Sequence, residues 1–427
     1  MKILIRQAKI VDAQSPFHNK VMDVLIVDGM IHRIAASISE AVDQEIDAKN
    51  QILTNGFFDM HVNFREPGHE YKETLRSGIS AAAAGGFTAV LQMPSTNPPV
   101  QSKSEIELIR SKTKDEVVDV YVAGALSQGI EGKDLTEMYD MFLNGALCFT
   151  DDKNSVQDDG LMLRALLYAK NFHGLILNYP NDKSLSVNGQ MNESEVNLKL
   201  GMKGIPAIAE EMMIIRDLKL CEYAETGIHF STISTKGSVE LIRQAKAKGI
   251  KVTCDVAAHH LLLDDSALED FETSYKMMPP LRTKEDVNAL IEGLKDNTID
   301  VICSDHSPEH VENKKKEFDL AAFGAEGAET AFSVAFTALS KTMAIEQIID
   351  KFSIAPRKIF SLVIHEIDEG EKANLTLFDP AEKWIVTEEN ILSKSKNNPF
   401  IGRELIGRVK MIINKGIVMS NQEALIS

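Results

Sequence analysis

The chain has 427 residues, 44% hydrophobic and 26% charged, the balance of a globular protein with room for one large domain and a smaller one. Its net charge of −17 argues against nucleic acid and anionic membranes as partners. No apolar run reaches the ~18 residues of a membrane span, Met1–Ala8 turns polar too early for a signal peptide, and Cys148, Cys221, Cys254 and Cys303 form no CxxC pair, so a cytoplasmic protein with reduced core thiols is expected.

From the N-terminus the pattern is β-like. Lys2–Ile5, Val21–Val27 and Ile31–Ile34 read as short strands, with Asp28-Gly29 as the hairpin turn between the last two. The far end repeats this character. Ala373–Asp379, Trp384–Val386 and Arg408–Asn414 read as strands, and Asn414-Lys415-Gly416 as a turn. Two β-rich ends flanking one middle predict a single small sheet domain built from residues 1–53 and 366–427.

The middle, residues 54–365, alternates short apolar runs with helical stretches. After the run entering Phe57-Phe58 come Gly86–Met93, Val118–Gly124, Gly145–Thr150, Gly174–Asn178, Gly227–Thr232, Lys251–Asp255 and Ile299–Asp305. Amphipathic helix candidates such as Lys103–Lys112 and Ser238–Lys248 lie between them. Greasy strands alternating with helices imply parallel strands buried on both faces. Eight such units in about 300 residues predict an α/β fold of the (β/α)8 TIM-barrel type. The alternative, a doubly wound open sheet, has no GxGxxG turn to support it.

Barrel sites lie at the C-terminal ends of the strands. The first strand approaches through Ile52-Leu53 and Gly56-Phe57-Phe58, then sets Asp59, His61, Asn63 and Arg65 on alternate residues. Residues two apart share a side of a strand, so His61 and Asn63 are expected to face the same way. Two histidines at this spacing would make half of a metal site; this chain has one His and one Asn. At the other strand ends stand Asp151-Asp152, Asn178, Thr232, Asp255 with His259-His260 beyond it, and Asp305-His306. Singly, such residues are helix caps and loop polar groups; together they point to a site.

The pattern resembles a known family, the longer bacterial type of dihydroorotase within the amidohydrolase superfamily. The similarity runs nearly end to end. It is carried by Asp59-Met60-His61-Val62-Asn63-Phe64-Arg65-Glu66-Pro67-Gly68, Met93-Pro94-Ser95-Thr96-Asn97-Pro98-Pro99 and Phe149-Thr150-Asp151-Asp152. Further matches are Ala209-Glu210, His259-His260-Leu261, Pro279-Pro280-Leu281-Arg282, Asp305-His306-Ser307-Pro308 and Asn398-Pro399-Phe400-Ile401-Gly402. The resemblance implies a metal-dependent barrel with a composite β-sandwich at its side. It also implies the reversible cyclisation of carbamoyl aspartate to dihydroorotate in pyrimidine synthesis, zinc as the metal, and at least a dimer.

Carried over residue by residue, the implied metal site is damaged. His61 stays, but the second His of the first strand is Asn63, the fifth-strand His is Asn178 and the sixth-strand His is Thr232. Left as metal positions are His61, Asp151 or Asp152, and Asp305, the last also the general base. Amide and hydroxyl oxygens are poor zinc ligands, and a base without a metal-activated water has nothing to act on.

The implied substrate contacts are altered too. Arg65, which would hold the substrate carboxylate, is present, but two asparagines become Ser95 and Met278. A histidine becomes Glu309, with His310 one residue later, where a loop slip could restore it. The scaffold glycines and prolines persist. The reading is a dihydroorotase-family protein of reduced or lost activity, with no cofactor bound, serving a structural or regulatory role. The resemblance to inactive members implies aspartate carbamoyltransferase as the partner. The alternatives are an active cyclic amidohydrolase with a reduced site of His61, an Asp and Asp305, and a binding module using Arg65. The run Lys314-Lys315-Lys316 reads as a solvated loop, within a segment of about residues 308–330 that could act as a lid.

Overall fold

The structure, a computed structural model, describes residues 1–421. Eight parallel strands build a barrel in two runs. Phe57–Val62, Phe87–Gln92, Asp119–Gly124 and Ala146–Phe149 form the first; Leu177–Asn178, Ile228–Phe230, Val252–Ala257 and Val301–Cys303 form the second. Parallel bridges from Phe149 to Ile176 and from Val62 to His306 join the runs and close the ring, which rules out the open sheet. The first two strands are buried along their whole length. Helices cover them outside and side chains fill the interior, so neither face needs polar residues.

The two anticipated helices span Lys103–Thr113 and Lys236–Ala247. Each begins at a side-chain cap, Ser102 accepting from Ser104 N and Thr235 from Ser238 N, which satisfies amides that have no partner inside a first turn.

Both chain ends meet in one eight-stranded sheet beside the barrel. The N-terminal end supplies Lys2–Ile10, Val21–Val27, Met30–Ala35, Gln44–Asp47 and Ile52–Asn55; the C-terminal end supplies Leu375–Ile385, Glu404–Asn414 and Ile417–Ser420. Ile52–Asn55 pairs antiparallel with Leu375–Phe378 and forms the seam. Both hairpin turns use left-handed backbone, Asp28 at φ 49° and Gly29 at 79°, Lys415 at 53° and Gly416 at 76°. The turns abut: a Cβ on Gly29 would lie 2.9 Å from Gly416 N.

Two details differ from the sequence reading. Ile52-Leu53 belongs to this sheet and is separated from the barrel strand by Gly56, where a Cβ would meet Thr88 Oγ1 at 2.1 Å. Trp384-Ile385 is the continuation of Leu375–Ile385, which passes Pro380 through a register shift between Asp379 and Lys383. A bulge is where a strand tolerates a residue with no N–H.

Barrel floor and sheet share a core. Phe57 of the first barrel strand stacks on Phe332 at 4.8 Å, and Phe332 meets Phe378 of the sheet edge-on at 4.7 Å. Arg357 is buried beneath this contact and donates to Gly56 O at 2.6 Å, Ser353 O at 2.8 Å and Thr88 Oγ1 at 3.2 Å. All four cysteines are free and buried. Among the described residues, no helix is long and apolar enough to cross a membrane.

The segment after the eighth strand corrects one expectation. Lys315 and Lys316 are exposed, but Lys314 is buried and donates to Lys276 O, Ala322 O and Gly324 O at 3.2, 3.0 and 2.9 Å. Lys276, also buried, donates to Gln190 Oε1 at 2.5 Å and Phe318 O at 2.6 Å. Irregular loops must satisfy their carbonyls somehow, and here two ammonium groups do so from inside. The segment is therefore pinned where a solvated run was expected.

Candidate functional site

Four charged side chains converge at the mouth of the barrel. His61, on the first strand, has Nε2 at 2.9 Å from Asp152 Oδ1 and 3.5 Å from Asp305 Oδ1. Lys153 folds back from the loop after the fourth strand and sets its Nζ 2.8 Å from Asp305 Oδ1. The same ammonium donates to Thr232 Oγ1 at 2.9 Å and lies 4.9 Å from the centre of the Tyr179 ring. Ser95 Oγ donates to Asp152 Oδ2 at 2.6 Å, and His61 Nδ1 is 2.9 Å from Ser231 Oγ.

The charges support one another. Burial and the Lys153 ammonium push the His61 imidazolium down, yet Asp152 and Asp305 outweigh them and hold it above its ordinary value. Burial also opposes the Lys153 ammonium, but Asp305 and Asp152 raise it. Burial opposes the Asp152 carboxylate, and His61 and Lys153 hold it well below the usual range. The result is a quartet in which two basic and two acidic side chains face one another, the pairing on which ionised groups depend in a buried site. Alignment is poor, however: His61 Nε2, Asp152 Oδ1 and Asp305 Oδ1 form close ion pairs without a well-directed hydrogen bond.

The sequence left Asp151 and Asp152 open as alternatives. The structure brings only Asp152 to His61. Asp151 turns away to accept from Ser127 N at 2.8 Å and from Ser127 Oγ, and burial pushes its carboxyl up to about 6. The backbone separates them, because Asp152 takes a left-handed φ of 51°. Asp305 (φ 50°) and Arg65 (φ 64°) are left-handed as well. Such conformations cost non-glycine residues roughly 1–3 kcal/mol, least for Asp and Asn, and persist where the surroundings enforce them. The chain thus keeps the strained backbone that aims side chains into the barrel mouth.

The positions where the resemblance puts imidazoles are engaged elsewhere. Asn178 Nδ2 donates to Asp217 Oδ2 at 2.6 Å, outside the quartet. Asn63 Nδ2 reaches Ser307 Oγ at 3.4 Å. Thr232 accepts from Lys153.

The remaining candidates divide into those drawn to the mouth and those left outside. Glu309 is buried; its Oε1 lies 2.7 Å from Lys72 Nζ and 3.5 Å from the Arg65 guanidinium, and Arg65 Nε donates to Pro308 O at 3.2 Å. His310 does not slip into the pocket: its ring sits edge-on to Tyr71, 6.0 Å between centres, and Nδ1 accepts from Glu312 N. Met278 is half-buried and brings no polar group. The rings of His259 and His260 lie tilted against each other, 4.5 Å between centres, with burial pushing His259 well down and His260 to about 3, so both are neutral wall residues. Asp255 pairs with His229 at 2.9 Å beneath the site.

Around this centre lies a tightly bonded frame. Glu210 accepts from Ser234 N at 2.8 Å, from Ser234 Oγ and from Ser238 Oγ at 2.6 Å. Arg282 donates to Ser234 Oγ at 3.0 Å, Asn192 Oδ1 at 2.9 Å and Ile205 O at 2.7 Å, with Glu210 3.7 Å away. Asp59 accepts from Ser304 N at 3.0 Å and ties the first strand to the eighth.

A zinc ion does not fit this donor set as it stands. Two ligands on a tetrahedral zinc, each ~2.0–2.2 Å from the ion, stand about 3.4 Å apart. His61 and Asp152 approach to 2.9 Å, a pairing distance, and the neighbouring ammonium sits 2.8 Å from Asp305, where it repels any cation. Among the described residues no group of three or more His, Cys, Asp or Glu side chains is arranged to hold a metal. Lys153 is the residue that sequence reasoning missed. It is not a metal donor, so a search for ligands passes over it; the available signal was a long cation directly after two carboxylates at a strand end.

Comparison with known proteins gives a consistent picture. Residues 50–238 match the family described as Dihydro-orotase-like. The chain is 41% identical over 429 residues to the dihydroorotase of Ruminiclostridium cellulolyticum, covering 100% of both. It is likewise 41% identical to that of Caldicellulosiruptor saccharolyticus, covering 99% of both. Among solved structures, the L-hydantoinase (dihydropyrimidinase) from Arthrobacter aurescens superposes with a TM-score of 0.85 at 22% identity, over 98% of this chain and 96% of that one. The dihydropyrimidinase from Brevibacillus agri gives 0.83 at 23%, over 98% and 95%. At such identity these structures speak for the fold alone.

Proposed function

The chain belongs to the dihydroorotase family, and we propose that it keeps the family's barrel without the family's metal-dependent amide chemistry. One observation carries this reading. Asn63, Asn178 and Thr232 stand where the resemblance puts imidazoles, and each is held by a protein partner. Without those ligands no metal lowers the pKa of a water or polarises the amide carbonyl, and Asp305 has no activated water to deprotonate. The substrate side supports the same conclusion, since the carboxylate of Glu309 already faces the Arg65 that would hold a substrate carboxylate.

The role left to such a protein in pyrimidine biosynthesis is structural or regulatory. By its resemblance to inactive family members, the proposed partner is aspartate carbamoyltransferase, bound by an oligomer of this chain. The other reading, a hydrolase with a reduced centre of His61, Asp152 and Asp305, has the convergence of those three side chains in its favour. The ammonium beside them counts against it. Purified chain supplied with zinc is expected neither to hydrolyse dihydroorotate nor to cyclise carbamoyl aspartate. Turnover that disappears in Asp305→Ala would overturn the proposal. Light scattering of the chain mixed with aspartate carbamoyltransferase tests the partner, and two separate species would remove it.

A further inference from the structure

We propose that Lys153 is the resident cation of the barrel mouth: its ammonium supplies in place the positive charge that a metal would otherwise bring, and closes the centre to metal ions. This rests on the reading that metal-dependent chemistry has been lost and says what replaced it. The ammonium does not merely happen to lie nearby. Its three partners come from three separate strand ends: Asp305 after the eighth at 2.8 Å, Thr232 after the sixth at 2.9 Å and the Tyr179 ring after the fifth at 4.9 Å. One is the retained carboxylate. Thr232 is itself a substituted position, and Tyr179 is the direct neighbour of another, Asn178. A retained carboxylate, a substituted position and the neighbour of another thus form a cradle around one nitrogen.

Charge makes the substitution necessary. Asp152 and Asp305 are buried, and with His61 alone two carboxylates would share a single imidazole. Ionised groups removed from water demand a counter-charge. A metal ion would meet that demand with ligands this chain lacks; Lys153 meets it with a covalently tethered cation that cannot be lost to dilution or to a chelator. The hydroxyl of Thr232 and the aromatic face of Tyr179 suit an ammonium and are poor ligands for zinc.

The test uses the full chain, Lys153→Ala and Lys153→Gln, with zinc ion as the probe and calorimetry plus metal analysis as readouts. The unaltered chain is expected to take up no zinc that depends on Asp305. Removing a unit positive charge a few Å from the donors should raise zinc affinity by at least about a hundredfold. That gain should vanish in Lys153→Ala/Asp305→Asn. Lys153→Gln removes the charge while keeping most of the side chain and an N–H donor, so it carries the test should the alanine variant not fold. Zinc affinity unchanged in the folded variant overturns the inference, as does Asp305-dependent zinc in the unaltered chain. If the unaltered chain takes up no such zinc and still hydrolyses dihydroorotate, the reading of lost hydrolysis fails while the role of Lys153 stands.

Discussion

The centre of the barrel mouth and the frame around it are built from the same kinds of side chain but bonded in different ways. In the frame, Glu210 and Arg282 are buried and meet well-directed partners at 2.6–3.0 Å. In the centre, His61, Asp152, Asp305 and Lys153 are held by proximity of charge, and three of their polar atoms lack a directed hydrogen bond. The frame's bonds depend only on the fold, so they stay satisfied whatever happens to the chemistry. On the proposed reading the centre's donors suit a bound cation, and Lys153 offsets their charge without giving every one of them a directed hydrogen bond. A lost reaction should therefore leave a stiff frame around a loosely bonded middle.

The largest effect expected from that contrast is in the frame. Arg282→Met removes donors to Ser234, Asn192 and Ile205 and leaves the buried Glu210 without its neighbouring cation. Breaking a buried pair on one side costs about 3–5 kcal/mol, so denaturant unfolding should show a loss of that size or failure to fold. A loss below ~1 kcal/mol would mean the frame is no tighter than the centre.

The segment pinned by Lys314 after the eighth strand predicts a pH signature. Burial pushes the Lys314 ammonium down from its ordinary 10.5 to about 8. Below about 8 both folded and unfolded chains hold the proton, and the burial penalty is present in full. Between about 8 and 10.5 the unfolded chain holds a proton that the folded chain has released, so stability rises with pH. Relative to Lys314→Met, the unaltered chain should gain roughly 2–3 kcal/mol over that window. Thermal unfolding of the two proteins in parallel measures it, and a constant gap would show that Lys314 is not buried in solution.

How much of this was readable beforehand follows from what periodicity can report. The eight barrel strands were legible because strands covered on both faces are continuous apolar runs, and the hairpins because Asp28-Gly29 and Lys415-Gly416 allow left-handed backbone. The absence of three imidazoles was visible as a change of residue type. Which carboxylate faces inward was not legible, since the left-handed Asp152 breaks the alternation that would have predicted it. Nor were the destinations of long side chains. Lys314 read as a solvated loop residue, Glu309 as a substrate-contact position, and Lys153 drew no reading; all three turn inward, to Asp305, Lys276 O and Lys72 among others. Local pattern fixes where a side chain starts, and its last four bonds are decided by charges that only the folded chain assembles.

At the rim of the centre the expected effect is a gain. Glu309 sits between Lys72 and Arg65 and supplies the carboxylate that Arg65 would otherwise take from a ligand. Glu309→Gln keeps the shape and removes that internal competitor. Calorimetry with orotate should then detect binding stronger by about tenfold, the worth of roughly one charge-assisted contact. Unchanged affinity would show that the pocket is closed by shape and not by Glu309.

The smallest effect is expected from the substitution that most resembles a repair. Asn63→His restores the paired histidines of the first strand, and taken alone it looks like the natural route back to a metal site. The amide it replaces contributes little, since its bond to Ser307 Oγ is 3.4 Å long. Stability should change by less than ~1 kcal/mol. Zinc uptake and turnover should not change at all, because the Lys153 ammonium remains 2.8 Å from Asp305 and the new imidazole does nothing to displace it. Combining Asn63→His with Lys153→Ala should then raise zinc affinity above that of Lys153→Ala alone. If Asn63→His by itself yields a stoichiometric, Asp305-dependent metal, the missing ligand and not the resident cation was what kept the centre empty of zinc, and the loosely bonded middle is a metal site one residue short.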